Sequence, residues 1–246
     1  MRGSEMVEGG HGMMKLASAK RKAPDAANLM SMYDRAYHFI KQRIITNETA
    51  AGGQINDREI AETLGISRTP VREAILLLQK EGFVEVIPRL GVRVRPLFLE
   101  DIRELYDILI ALETLAAGLL AARHPTLEEL EPLSEAVKTM KASLKVDDFA
   151  TWIEADERFH RALFQLSGNR RLAEAGMSYR DRVQRAHVVA LKLRARPTKF
   201  VEGHADLVEL IRRGEVEAAR ERHYTEWVRA REELMAAITR YGLKCL

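Results

Sequence analysis

Hydrophobic residues recur with helical spacing along almost the whole chain and alternate in one short stretch. Tyr33, Ala36, Tyr37, Ile40, Ile44 and Ile45 fall on one face of a first helix. Ile60, Ala61 and Leu64 stripe a second, short one. Asn56 is placed to cap its start, and Gly65 to end it, because glycine accepts the left-handed conformation of an abrupt stop. Val71, Ala74, Ile75 and Leu78 give a third helix its buried face. Ser67 can cap it, and Pro70 fits its first turn, where backbone donors lack intrahelical partners. Phe83-Val84-Glu85-Val86-Ile87 and Val92-Arg93-Val94-Arg95 then alternate around Pro88-Arg89-Leu90-Gly91, the pattern of a hairpin. After Arg95-Pro96-Leu97 the period is helical to the end. It predicts helices near 99–122, 126–145, 147–167, 169–193, 198–213 and 215–241, with breaks at His124-Pro125, Val146-Asp147, Gly168, Arg196-Pro197 and Gly214.

The fold class that follows is mainly α. A winged helix-turn-helix with a small β-hairpin wing is expected over residues 29–96, joined at a proline hinge to an antiparallel bundle of six or seven helices over 97–246. Residues 1–28, rich in Gly, Ser, Ala and charge and carrying Lys20-Arg21-Lys22, lack any period and are expected to form a solvated tail. At 246 residues and 46% apolar content the chain can bury two cores. Its net charge is only +3, but the distribution is uneven: residues 1–96 carry 15 Lys and Arg against 11 Asp and Glu, residues 97–246 carry 24 against 25. Cys245 is the single cysteine, which excludes an intramolecular disulfide and suits a reducing cytosol. The longest apolar run, Ile108 to Ala122, is broken by Glu113 and too short for a bilayer; it reads as a core helix. No secretory apolar segment is visible near the start, so a cytoplasmic protein without a membrane partner is expected.

Arg68, Thr69 and Arg72 lie off the buried stripe near the start of the third helix, and Arg89 sits at the tip of the wing. That is the end of a recognition helix that meets base edges and phosphates, and the positive excess falls on the same part of the chain. Residues 36–95, above all LGISRTPVREAILLLQKEGFVEV, resemble the winged helix of the GntR family of bacterial transcription regulators. The resemblance implies that Arg58, Ser67, Arg68, Thr69 and Arg72 contact DNA, with the wing around Arg89 and Gly91 reaching the minor groove. Where the family has Pro-Gly before its second helix, this chain has Ala51-Gly52-Gly53.

Four polar residues fall on inward faces of the predicted bundle. Asp156 and His160, four apart, share the stripe of Phe149, Ile153, Leu163 and Phe164. His204 is in step with Val201, Val208 and Ile211, and His223 with Val216, Ala219 and Ala230. His204 lies ten residues before Gly214 and His223 nine after it, so on antiparallel helices rising ~1.5 Å per residue the two imidazoles reach nearly the same height. A buried carboxylate needs a partner, and three imidazoles around one carboxylate suit a divalent transition ion: zinc first, with nickel and manganese open. The plainer alternative is a hydrogen-bonded Asp-His pair with two unrelated histidines.

DERFHRALFQLSGN followed by EGHADLVELIRRGEVEAARERH is similar to the C-terminal effector domain of the FadR subgroup of the same family. The likeness implies a metal held by Asp156, His160, His204 and His223, and a small organic acid whose carboxylate completes the coordination. The subgroup's first effector helix carries an arginine in Tyr-Glu-Val-Arg; this chain reads Tyr106-Asp107-Ile108-Leu109, which leaves Arg182 or Arg185 to supply the cation. The function that follows is a dimeric, ligand-responsive regulator, a repressor of a palindromic operator and not an enzyme. Two other readings use the same residues: a metal-dependent hydrolase or isomerase, and a regulator for which the ion is itself the signal.

Overall fold

The computed structural model describes residues 30–193, 198–243 and 245–246, with the side chains of 189–193 left aside; the tail expected over 1–28 and the break at Arg196-Pro197 lie outside the described residues. The elements run α1 (Met32–Ile45), β1 (Gln54–Ile55), α2 (Asp57–Leu64), α3 (Arg68–Lys80), β2 (Val84–Ile87), β3 (Gly91–Val94), α4 (Leu99–Ala122), α5 (Glu131–Lys145), α6 (Phe149–Leu166), α7 (Arg170–Leu193), α8 (Thr198–Arg212) and α9 (Val216–Arg240). This is a winged helix followed by a helical bundle of six members among the described residues.

Asn56 caps α2 by accepting from the backbone N–H groups of Arg58 and Glu59, and Gly65 ends it at φ 64°. Ser67 has the extended backbone of a cap before α3, but its hydroxyl accepts no helix N–H. The wing pairs Val84 with Val94 and Ile87 with Gly91 in antiparallel register. A strand the alternation did not predict, β1, adds to the outer side of β3, giving the order β1-β3-β2. It belongs to the Ala51-Gly52-Gly53 approach: the Gly52 N–H donates to the Val94 carbonyl, and the Val94 N–H to the Gly53 carbonyl, both at 2.9 Å.

Hydrophobic packing gathers in two clusters. One joins Ile40 and Ile44 of α1 to Val71, Ile75 and Leu78 of α3 and Phe83, Val84 and Val94 of the wing. The other fills the bundle, where α4 packs against α6, α7, α8 and α9. By length and composition α4 is apolar enough to cross a membrane, but half of its most apolar window is buried in the bundle, as for a core helix. Helix α5 starts at Glu131 and not near 126. Thr126 and Glu129 bond each other's backbone N–H groups at 2.8 and 3.2 Å, closing a separate turn ahead of it. Beyond the wing, Leu97 exchanges both backbone hydrogen bonds with Leu246, so the segment entering α4 is paired with the far end of the sequence.

Candidate nucleic-acid interface and metal centre

At the start of α3, Ser67, Arg68, Thr69 and Arg72 are all exposed, as are Arg58 on α2 and Arg89 and Gly91 in the wing. Arg68 and Arg72 both reach Asp57, the first residue of α2, at 2.8 and 2.7 Å. Partial burial raises the Asp57 pKa, but the two guanidinium groups outweigh it and hold the carboxyl below its ordinary range. Arg58 pairs with Glu62 at 2.9 Å. Such exposed pairs are worth only ~0.2–1 kcal/mol, so phosphates can displace them. Arg68, Arg72 and Gly91 line one shallow groove between α3 and the wing, together with Asn56, Leu76 and Val86. Arg89 takes φ 67° in the wing turn, a left-handed conformation that points to a tightly specified tip.

In the bundle, Asp156 and His160 project from α6, His204 from α8 and His223 from α9, all four buried. One ligand atom from each of Asp156, His160 and His204 falls within 4.8 Å of the others. His160 Nε2 and His204 Nε2 are 3.1 Å apart, and Asp156 Oδ1 is 3.6 Å from the first and 3.5 Å from the second. The far nitrogens are occupied by acceptors: His160 Nδ1 lies 2.6 Å from Glu113 Oε2, and His204 Nδ1 2.5 Å from the Phe200 carbonyl. These neighbours put the protons on both Nδ1 atoms, which turns two Nε2 lone pairs toward each other and toward a carboxylate. One cation reconciles them: a proton on His160, or a divalent ion held by His160, His204 and Asp156. The donor set therefore fits such an ion.

His223 lines the same small cavity, but its Nε2 faces Glu113 at 2.8 Å. Glu113, fully buried in α4, is the residue that sequence reasoning passed over. A single oxygen, Oε2, accepts from His160, His223 and Trp227 Nε1. Its one sequence signal was an acid inside an apolar helix. Arg180 was also missed. It is fully buried on α7 and donates to Asp156 Oδ2 at 2.6 Å and Glu157 Oε2 at 2.9 Å. Arg182 and Arg185 do not reach this centre. They donate to the carbonyls of Glu81 and Arg95, because they leave α7 on the side of the winged helix.

Electrostatics follow from this burial. Desolvation pushes Glu113 and Asp156 up, yet His160 and its neighbours prevail and hold both carboxyls well below the usual range. Burial and Arg180 lower the His160 pKa, but Glu113 and Asp156 raise it further, for a net rise. Burial, then His160, drive His204 down to about 3, and burial lowers His223. At neutral pH His204 is thus a neutral imidazole, the form a metal ligand needs. Two carboxylates, Glu113 and Asp156, face one guanidinium, Arg180, which leaves room for a further positive charge. The cavity beside the cluster is about 40 Å³ and walled by Trp152, Phe200, Trp227 and Ala230.

A wing and an arginine-fronted recognition helix, joined to a helical bundle with a buried polar centre, define a DNA-binding transcription regulator with a second, C-terminal domain. Comparison with known proteins agrees. Residues 32–94 match the bacterial regulatory proteins of the gntR family, and residues 104–226 match the FCD domain. The chain belongs to the GntR family, in its FadR-like group with a C-terminal FCD domain. It is 40% identical over 143 residues to an uncharacterized HTH-type transcriptional regulator of Agrobacterium vitis, covering 57% of this chain and 84% of that one. It is 29% identical over 135 residues to the gluconate operon transcriptional repressor of Bacillus subtilis, covering 53% of each. A solved structure of a putative GntR transcriptional regulator from Rhodococcus sp. RHA1 superposes with a TM-score of 0.71 at 25% identity, covering 85% of this chain and 99% of that one.

Proposed function

We propose that this protein is a cytoplasmic homodimeric repressor, released from a palindromic operator by a small carboxylic acid that binds beside a divalent metal in the bundle. The observation that carries the proposal is the pair of facing Nε2 atoms, 3.1 Å apart, with Asp156 beside them. In this reading Asp156, His160 and His204 hold the ion, with His223 the fourth residue of the set; zinc is the first choice and nickel or manganese the alternatives. When bound, the ion supplies Lewis acidity toward a carboxylate. The chain's own residues do the rest. Glu113 and the Phe200 carbonyl orient the imidazoles, and Trp152, Phe200 and Trp227 keep water from the acid's apolar part. Arg58, Ser67, Arg68, Thr69 and Arg72 contact the operator, while Arg89 and Gly91 of the wing approach the minor groove.

Two features support coupling and assembly. An unbroken run of polar contacts leads from the centre to α1 and the end of α3: Asp156 to Arg180, Arg180 to Glu157, Glu157 to Arg161, Arg161 to Asp181, Asp181 to Lys41, and Lys41 to Glu81 and Tyr37. A change at Asp156 can therefore alter the clamp on the recognition helix. On α4, the exposed Ile108 and Leu115 align with the half-buried Leu112 and Leu119 as a second apolar stripe, which suits burial against a second copy.

Elemental analysis, with mass spectrometry of co-purifying small molecules, tests the reading. A duplex selected by the protein from a random library then gives the gel-shift probe. The expected result is one divalent ion per chain and a complex dissociated by a carboxylic acid. Equal affinity for scrambled DNA, or a chain that takes up no divalent metal, would overturn it. The small cavity, about 40 Å³, favours one second reading, in which the ion itself is the signal. Operator affinity that follows free zinc with no organic acid present would select that reading.

A further inference from the structure

A second cavity, about 220 Å³, lies where the chain leaves the wing and enters the bundle, between Gly82 and Phe83, the Arg95-Pro96-Leu97 exit, α4 and α7. Three arginines line it: Arg95 from the exit, and Arg182 and Arg185 from α7. Arg185 is 4% exposed. Its Nη1 donates to the Arg95 carbonyl at 2.9 Å, while its Nε and Nη2 are buried without an acceptor. Arg182 spends its Nε on the Glu81 carbonyl at 2.7 Å. The Arg182 and Arg95 guanidinium groups converge over Gly82: a Cβ there would lie 3.2 Å from Arg182 Nη2 and 3.9 Å from Arg95 Nη1.

Among the described residues none of these three arginines has a carboxylate partner, whereas buried Arg180 has Asp156 and Glu157. The acids on the wall do not neutralise them. Asp101 receives the Phe98 N–H at 2.9 Å as the cap of α4, and Glu104 is exposed. Burial lowers the Arg185 pKa, as for a cation withdrawn from water, and the Cys245 thiol beside it offsets only part of that shift. A desolvated, unpaired guanidinium is costly, and its planar fork matches a carboxylate or phosphoryl group.

We infer that this junction cavity is a binding site for the oxyanion head of a small metabolite, carboxylate or phosphoryl, gripped by Arg185, Arg182 and Arg95. It is separate from the imidazole cluster and does not depend on the metal reading. Its donors come from both the wing exit and α7, so an anion there ties the two together and fixes how the recognition helix is carried.

The test uses the full chain in a buffer free of oxyanions, with inorganic phosphate and acetate as probes and chloride at matched ionic strength as control. Thermal unfolding should show a saturable rise with at least one oxyanion. The apparent affinity should weaken about tenfold or more in Arg185→Gln and in Arg95→Gln, the loss expected for one charge-assisted hydrogen bond. Hydrogen exchange should map protection to residues 82–83, 95–105 and 179–185. Should Arg185→Gln fail to fold, Arg95→Gln and Arg182→Gln carry the comparison, Arg95 being an exposed side chain. No saturable effect above chloride with either probe would overturn the proposal. So would binding unchanged in the arginine variants, or binding abolished by His204→Ala alone.

Discussion

His160 and His204 meet through their Nε2 atoms, 3.1 Å apart, each imidazole anchored at its other nitrogen. If a metal ion occupies this contact, His204→Ala removes a ligand and metal content falls to background by elemental analysis. Glu113→Gln keeps Asp156, His160 and His204 but weakens the acceptor that orients His160 and His223, so zinc affinity should fall roughly 10–100-fold. Retained zinc in His204→Ala would leave the hydrogen-bonded histidine pair as the better description.

Glu113 is also a stability element. Replacing it with alanine strips the acceptor from His160, His223 and Trp227 at once, inside the core. Breaking a buried charged network of this kind costs on the order of 3–5 kcal/mol, and chemical denaturation should register that loss. A change under about 0.5 kcal/mol, the range of ordinary surface substitutions, would mean that water readily replaces the network.

At the DNA-reading end, Arg68→Ala and Arg72→Ala should each weaken operator binding roughly tenfold or more, with metal content unchanged. Asp57→Asn should act in the opposite direction. Asp57 pairs with both arginines in the free protein, so its neutralisation releases them and strengthens binding a few-fold. Fluorescence anisotropy with a labelled duplex reads both signs; weaker binding in Asp57→Asn would show that the acid positions the arginines instead of competing for them.

The polar run between the two parts has its own signature. Lys41→Met cuts it at Asp181 and Glu81 without touching the imidazoles. Zinc affinity should be unchanged, while the effect of zinc on hydrogen exchange in α1 and the end of α3 disappears. Exchange that still responds to zinc in the variant would move the coupling elsewhere, for example to the Arg182 and Arg185 contacts with the Glu81 and Arg95 carbonyls.

What could be read in advance followed from local rules. Gly65 announced the turn because only an abrupt, left-handed stop requires it there, and the structure has φ 64° at that position. The arithmetic of an antiparallel hairpin puts His204 and His223 at one height; both line the cavity, but His204 turns its Nε2 to His160 and His223 turns its Nε2 to Glu113. What escaped depends on long-range packing. Glu113 looked like a blemish in an apolar helix, because nothing nearby in sequence shows that residues 47 and 110 positions later come to it. On α7, which is crowded with charge, Arg180, Arg182 and Arg185 are hard to phase. A shift of two residues moves a side chain from the polar centre to the junction with the winged helix. Strand β1 has two residues, too few for alternation to be visible.

The backbone pairing of Leu97 with Leu246 has a practical consequence. A reporter or affinity handle fused after Leu246 would hang from the very segment that joins the winged helix to the helical bundle. A label placed there would report on, and load, the joint it was meant to leave alone; a label on the exposed side of α5 would not.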